Sequence, residues 1–279
     1  MADALVQSSW GQQEASRAFV NTIANRSNAA QLGGGERAVW GSAIVGSSRF
    51  DSARGHAGAD TNITGGAMGI ESRTGKSSLV GVALGSSRTR VGTHAFSTTK
   101  QDTMHLGAYG QTTAGQFSLD WSAAYGRSDS ELLESDWKQN HLQLDGRVSY
   151  NHALSENTVL STFGGLQYYT SDSARVDGVK TGSLQNLRAE IGVGATYRIG
   201  KLGVYGEIAV HQDIVRDNPE VEMEGQSFRG MNPGRTGANV TVGASYSLSE
   251  DWSVNASYTG EVVENATSHS VNAGATYKF

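Results

Sequence analysis

The chain has 279 residues, Lys+Arg 22 against Asp+Glu 27, a net charge of −5, 36 glycines, two prolines and no cysteine. Mild acidity leaves no electrostatic footprint for nucleic acid, and abundant glycine suits strands in close approach better than a helical bundle. No apolar run approaches the roughly 18 residues of a membrane helix, a test that a membrane β-barrel passes because its lumen-facing half is polar.

In chain order, Met1 is followed by Ala-Asp-Ala, with neither a basic n-region nor an apolar h-region. An exported protein needs such a signal, so the chain reads as the C-terminal piece of a longer one, with residues 1–3 as start residues. Residues 4–32 follow no strand rhythm. Leu5, Trp10, Phe19, Val20 and Ile23 stand among Gln, Ser, Asn, Glu14 and Arg17. Alanines and straight-chain residues predict a helix that Gly33-Gly34-Gly35 ends, so residues 4–35 form a helix and linker. Leu5 to Asn28 spans about 36 Å as a helix, enough to run through a barrel whose apolar band is about 25 Å tall. A disordered tail is the alternative, and it has no use for Trp10, Phe19, Val20 and Ile23.

Residues 36–279 repeat an alternation of apolar and polar side chains. The pattern predicts twelve strands, near 37–50, 58–71, 77–92, 102–113, 116–128, 139–152, 157–170, 186–199, 201–213, 236–248, 251–263 and 268–279. Side chains alternate across a strand, so Leu187, Ala189, Ile191, Val193, Ala195 and Tyr197 share a face opposite Arg188, Glu190, Thr196 and Arg198. Phe117, Leu119, Trp121, Ala123 and Tyr125 likewise oppose Ser118, Asp120, Ser122 and Gly126. A lysine or arginine facing lipid at mid-depth costs about 2–4 kcal/mol, and these charges avoid the apolar face. Asp145, Arg147, Arg188 and Glu190 are thus expected in the lumen with Asp120, where a salt bridge from Arg188 or Arg17 accounts for the acids. The aromatic rings on apolar faces, Tyr125, Tyr197, Trp252 and Tyr277 among them, suit interfacial girdles.

A soluble sandwich also alternates, and loop lengths separate the two. Connections after even strands are short, and those after odd strands are expected to be longer, the longest being a loop over roughly 214–235 that holds Pro219 and Pro233. Outer-membrane barrels show that parity. The last strand ends on Phe279 with Val271, Ala273, Ala275 and Tyr277 on its face. A bare edge of this kind must be paired, and closure on the first strand gives a 12-stranded antiparallel transmembrane β-barrel, an all-β fold with the N-terminal helix in its lumen.

The order of pieces along the chain resembles the translocator domain of classical, type Va autotransporters. The resemblance covers essentially the whole chain and rests on Val39-Trp40, Met68-Gly69-Ile70-Glu71, Gly107-Ala108-Tyr109-Gly110, Leu119-Asp120 with Tyr125, and Leu248-Ser249-Glu250-Asp251-Trp252-Ser253-Val254. Gly274-x-x-Tyr277-x-Phe279 looks like the signal read by the barrel-assembly machinery. The resemblance implies a monomer in the outer membrane of a Gram-negative bacterium. Its implied partners are outer-membrane lipid, that machinery, periplasmic chaperones and the chain's own passenger, which it helps to secrete or display. No cofactor is implied.

Some members of this family cut themselves inside the lumen, an Asn side-chain amide attacking its own carbonyl. Val20-Asn21-Thr22-Ile23-Ala24-Asn25-Arg26 is similar to the Val-Asn-Asn-Leu-Asn-Lys-Arg of the enterobacterial serine-protease autotransporters, departing at Thr22 and Ala24. By that likeness Asn21 is the nucleophile, the cut precedes Thr22, and Asp120 is the helping carboxylate; Asn28-Ala29 is a second junction. A further family acid falls here near Gly165, which weakens the match. No turnover enzyme is expected.

Asp60-x-Asn62-x-Thr64-Gly65-x5-Glu71 has the spacing of a calcium loop but overlaps a strand, without flanking helices, and reads as coincidence. The seven histidines show no pair at zinc spacing, so no metal site is expected. A stand-alone outer-membrane porin or adhesive barrel remains as the alternative function, and it has no use for a leading polar helix.

Overall fold

The computed structural model describes residues 2–29, 36–52, 57–75, 77–94, 98–223, 225–230 and 232–279, without the side chains of residues 27–29. Helix α1 runs Ala2–Ala29. It takes in Ala2 and Asp3, and Asp3 lies in the first turn, where a carboxylate favours the helix dipole. The Gly33-Gly34-Gly35 stop lies outside the described residues.

The barrel strands are β1 (Arg37–Phe50), β2 (Ala59–Thr74), β3 (Ser78–Thr93), β4 (Thr98–Ala114), β5 (Phe117–Leu132), β6 (Ser135–Ala153), β7 (Thr158–Ser171), β10 (Leu184–Ile199), β11 (Leu202–Arg216), β14 (Thr236–Ser247), β15 (Trp252–Val263) and β16 (Ala266–Lys278); the short β8 (Arg175–Val176), β9 (Val179–Thr181), β12 (Glu220–Met223) and β13 (Gln226–Arg229) fall between them. The twelve long strands pair antiparallel in a closed ring. Closure runs along the whole of β1, from Ala38 opposite Lys278 to Phe50 opposite Ala266. At that seam an added Cβ on Gly274 would stand 2.5 Å from the Gly41 carbonyl oxygen, so the two strands can approach only with glycine there.

Period-two burial follows from the alternation. Val271, Ile191, Val193, Leu119 and Tyr125 are exposed on the outside, where lipid would cover them, whereas Asn272, Ser118, Ser122 and Arg188 are buried inside. Helix α1 lies in the lumen, and at about 1.5 Å per residue its 28 residues reach about 42 Å, longer than the apolar band.

Two expectations about the rims need correction. On the rim that carries Gly75, Gly115 and Gly200, the connections are short, and these glycines take φ of 62°, 62° and 55°, left-handed values that side chains resist. The opposite rim is not uniformly long-looped: β5 and β6 join through Leu133 and Glu134 alone, and β15 and β16 through Glu264 and Asn265 alone. The strands themselves project there, because their outward ends are polar and need no lipid. Secondly, the 214–235 stretch is not a plain loop. β12 and β13 lie within it, and together with β8 and β9 they form a four-stranded cap in the order β13-β12-β9-β8. Val176, Val179 and Val221 of the cap are buried with Ala4, Leu5 and Val6 of the helix and Leu132 and Trp137 of the wall. Apolar burial against the helix end holds those short strands in place.

Candidate functional site

The lumen is the site, and the helix divides it into a packed side and a wet side. The packed side is made by β1–β5. Phe19 stacks on His105 with ring centroids 4.8 Å apart. Its seat exists because Gly85 and Gly107 have no side chains: an added Cβ would come 2.6 Å from the Phe19 ring at Gly85 and 2.8 Å from Ile23 Cδ1 at Gly107. Ala18, Phe19, Val20 and Ile23 form one buried cluster with Trp40, Ile44, Leu79, Ala83 and Tyr109. At the mid-helix, Gln12 Nε2 lies 3.1 Å from His141 Nδ1 and donates to Ser128 Oγ at 3.2 Å, and Ser16 donates to Gln143 Oε1 at 2.9 Å.

The end of the helix nearest the short turns is tied by charge. Arg26 donates to Glu71 Oε1 at 2.6 Å and to Thr276 Oγ1 at 2.7 Å, and its guanidinium lies 5.4 Å from the centre of the Trp40 ring. Tyr109 donates to the other Glu71 oxygen at 2.7 Å and accepts from Trp40 Nε1 at 2.7 Å. Sequence reasoning quoted Trp40, Glu71 and Tyr109 as separate motif pieces and assigned none of them a role. They meet here, on three strands, around one helix cation.

Toward the other end, Arg17 bridges Glu14 at 3.1 Å and Glu261 at 3.4 Å. Arg188 bridges Asp213 at 2.8 Å and Glu261 at 2.9 Å, and Arg216 pairs with Asp213 as well. Arg216 also lies over Trp10, 4.6 Å from the ring centre. Glu261, Asp213 and Arg216, which join the helix to β11 and β15, carried no sequence signal of their own beyond an inward register.

The wet side is a cavity of about 250 Å³ lined by Asn21, Asp120, Asp145, Arg147, Glu190 and Glu207, among others. Asp120 accepts from Gln111 at 2.8 Å and stands opposite Arg147 in the ladder. Asp145 accepts from Gln143 at 3.2 Å and from Ser122 at 3.4 Å, so the expected bridge from Asp145 to Arg188 or Arg17 does not form. Arg147 pairs instead with Glu207 at 2.9 Å and sits 3.3 Å from the centre of the Phe163 ring. These partners lie on strands far apart in sequence, which is why charge spacing alone chose the wrong ones. Thr22 donates to Asn272 Oδ1 at 2.8 Å, beside Asn21, and the helix is continuous through both. Asn28 and Ala29 are helical in backbone, and their side chains lie outside the described residues. Gly274 lies on the lumenal side of β16, while Tyr277 and Phe279 are exposed on the outer face with rings stacked 6.3 Å apart. Asp60 and Glu71 of the calcium-like spacing point to opposite sides of β2: Asp60 pairs outside with Arg49, and Glu71 is buried inside.

A closed barrel with an apolar exterior, a polar lumen and a helix threaded through it is the build of an outer-membrane β-barrel plugged from within. The family model for the autotransporter beta-domain matches residues 39–259, and the chain belongs to that family. It is similar over 95% of its length to the translocator domain of the autotransporter NalP from Neisseria meningitidis, at 17% identity, TM-score 0.72 and 98% coverage of that chain. The transport unit of AIDA-I from Escherichia coli matches at 14% identity and TM-score 0.69, covering 95% of this chain and 98% of that one. Among curated proteins it is 24% identical over 268 residues to an extracellular serine protease of Serratia marcescens, covering 81% of this chain. The chain spans about a quarter of that relative's length. It is thus an autotransporter translocator domain of the Gram-negative outer membrane, and the family match favours this over a stand-alone porin or adhesive barrel.

Proposed function

We propose that this barrel carries a passenger joined ahead of α1 to the cell exterior and that α1 is the trailing segment left in the pore. One observation carries the reading: the direction of the helix. Its C-terminal end is tied by Arg26 to Glu71 near the short turns, and its N-terminal end is buried under the cap at the other rim. Short turns face the periplasm in such barrels, so residues preceding Ala2 emerge outside the cell. The outward rings of Tyr277 and Phe279 on the closing strand support recognition by the barrel-assembly machinery, with periplasmic chaperones delivering the chain. The test is an epitope joined ahead of Ala2 and followed by antibody labelling of intact cells. Surface labelling is the expected outcome; an epitope reached only after permeabilisation contradicts the reading.

A second, chemical reading rests on Asn21 and Asp120 lining one cavity. In it, Asn21 Nδ2 attacks its own carbonyl carbon, and the bond to the Thr22 nitrogen breaks. Asp120 takes the proton from Nδ2, the Thr22 amine leaves protonated, and water opens the resulting succinimide. An upstream-extended chain then splits with Thr22 as the new N-terminus, Asn21→Asp stops the cut, and Asp120→Asn slows it. An intact mass for the extended chain after assembly removes this reading.

A further inference from the structure

The wet cavity does not run the length of the helix. Its lining begins beside the short turns, with Thr113, Asn151 and Thr196, and ends at Arg17, Arg188 and Glu261. Beyond those three side chains the free space shrinks to a void of about 20 Å³ against Trp10, Phe50 and Arg216. A water needs roughly 10–15 Å³, so the void has room for about one water and none for a hydrated ion.

Between cavity and void stands a chain of six charges of alternating sign. It starts on the helix at Glu14, which pairs with Arg17 at 3.1 Å. Arg17 reaches Glu261 of β15 at 3.4 Å, Glu261 meets Arg188 of β10 at 2.9 Å, and Arg188 meets Asp213 of β11 at 2.8 Å. Asp213 pairs with Arg216, whose guanidinium returns to the helix 4.6 Å from the centre of the Trp10 ring. The chain of charges thus leaves the helix, touches three strands of the wall and comes back one helical turn earlier. β14, which lies between β11 and β15, is covered as well: the His211 ring occupies the space over Gly237, where an added Cβ would stand 2.7 Å from Nε2. Three carboxylates balance three guanidiniums, and none of the six side chains is more than 15% exposed.

We propose that this chain of charges is the gate of the plugged pore: the helix closes the packed side, and the six linked side chains close the wet side. An ion coming up the cavity has to displace one member of a buried pair and strand the other, which is far costlier than parting an exposed pair. Removal of one member opens the gap and also gives it a sign. Without Glu261 the layer carries one excess positive charge, with Arg17 and Arg188 facing the opening; without Arg188 it carries one excess negative charge, with Glu261 and Asp213 facing it. Charged side chains at a constriction select ions of opposite sign, so the two openings pass opposite ions. The gate depends on the helix lying in the lumen, and neither on the direction of export nor on cleavage at Asn21.

Conductance and reversal potential in planar bilayers under a potassium chloride gradient test it, with the intact chain as baseline. Glu261→Ala should raise conductance several-fold with a preference for chloride. Arg188→Ala should raise it several-fold with a preference for potassium. Both should stay well below the barrel that lacks residues 2–29. Glu207→Gln, which breaks the pair with Arg147 inside the cavity, should change neither quantity. Heat-modifiable gel migration reports a closed barrel in each variant, and hydrogen exchange at the Phe19 and Ile23 amides reports a seated helix. Should an alanine variant fail to close, Glu261→Gln and Arg188→Gln keep the shape and should show the same opposite shifts in reversal potential. Baseline conductance in both alanine variants overturns the gate, as does one shared ion preference. Conductance equal to that of the helix-deleted barrel, with unprotected Phe19 and Ile23 amides, also overturns it, because the charges would then be a tether for the helix.

Discussion

The two walls of this barrel do different work. The β1–β5 wall packs apolar side chains against the helix, where Phe19 and Ile23 fill the hollows over Gly85 and Gly107, and its outer rim carries cross-strand ion pairs. The wall from β6 to β15, with Asp120 of β5, leaves a cavity on its inner face, lined also by Asp145, Arg147, Glu190 and Glu207. One wall packs the helix with apolar side chains, and the other holds it by polar and charged contacts beside a cavity. Arg17, Asn21 and Asn25 give the helix a polar face along that cavity. The Arg26–Glu71 pair at one end and the apolar contacts of Leu5 and Val6 under the cap at the other then set the depth of the helix.

Substitutions in the grip should therefore cost far more than substitutions in the cavity. The largest effect belongs to Arg26→Met, which leaves Glu71 buried without its cation, a loss of about 3–5 kcal/mol in helix docking. Hydrogen exchange of the α1 amides should rise accordingly. Phe19→Ala removes the ring seated on His105 and should cost about 3 kcal/mol, read by the same exchange. Gly107→Leu overfills the seat instead. A cost of about 1–3 kcal/mol follows from overpacking, and Phe19→Ala in the same chain should partly restore protection because it reopens the space. The smallest effect is on the wet side: Glu207→Gln breaks the pair with Arg147 beside solvent and should cost under about 1 kcal/mol. Comparable losses from Arg26→Met and Glu207→Gln would erase the distinction between the walls.

Much of this was legible in the chain. A strand exposes its faces every second residue, so Ile191 and Tyr197 outside and Arg188 inside follow from spacing alone. The helix was legible from what it lacked, a period of two, and from apolar residues that no free tail needs. The cap was not. Strands of two to four residues are too short for a period to register, and Val176 and Val221 have meaning only against Leu5. Ion-pair partners were hidden for a different reason: alternation says that Arg147 and Asp145 face inward, and only the order of strands around the ring brings Glu207 to Arg147. The histidines looked dispersed, yet His105 and His141 stand 5.6 Å apart where the helix passes between Phe19 and Gln12.

The central claim is that α1 occupies the pore, and single-channel conductance in planar bilayers tests it most directly. The intact chain should pass little current, through the polar strip beside Asp120 and Glu190. Removal of residues 2–29 should open a stable pore of several-fold higher conductance while heat-modifiable migration shows the barrel still closed. Equal conductance with and without the helix would contradict the account.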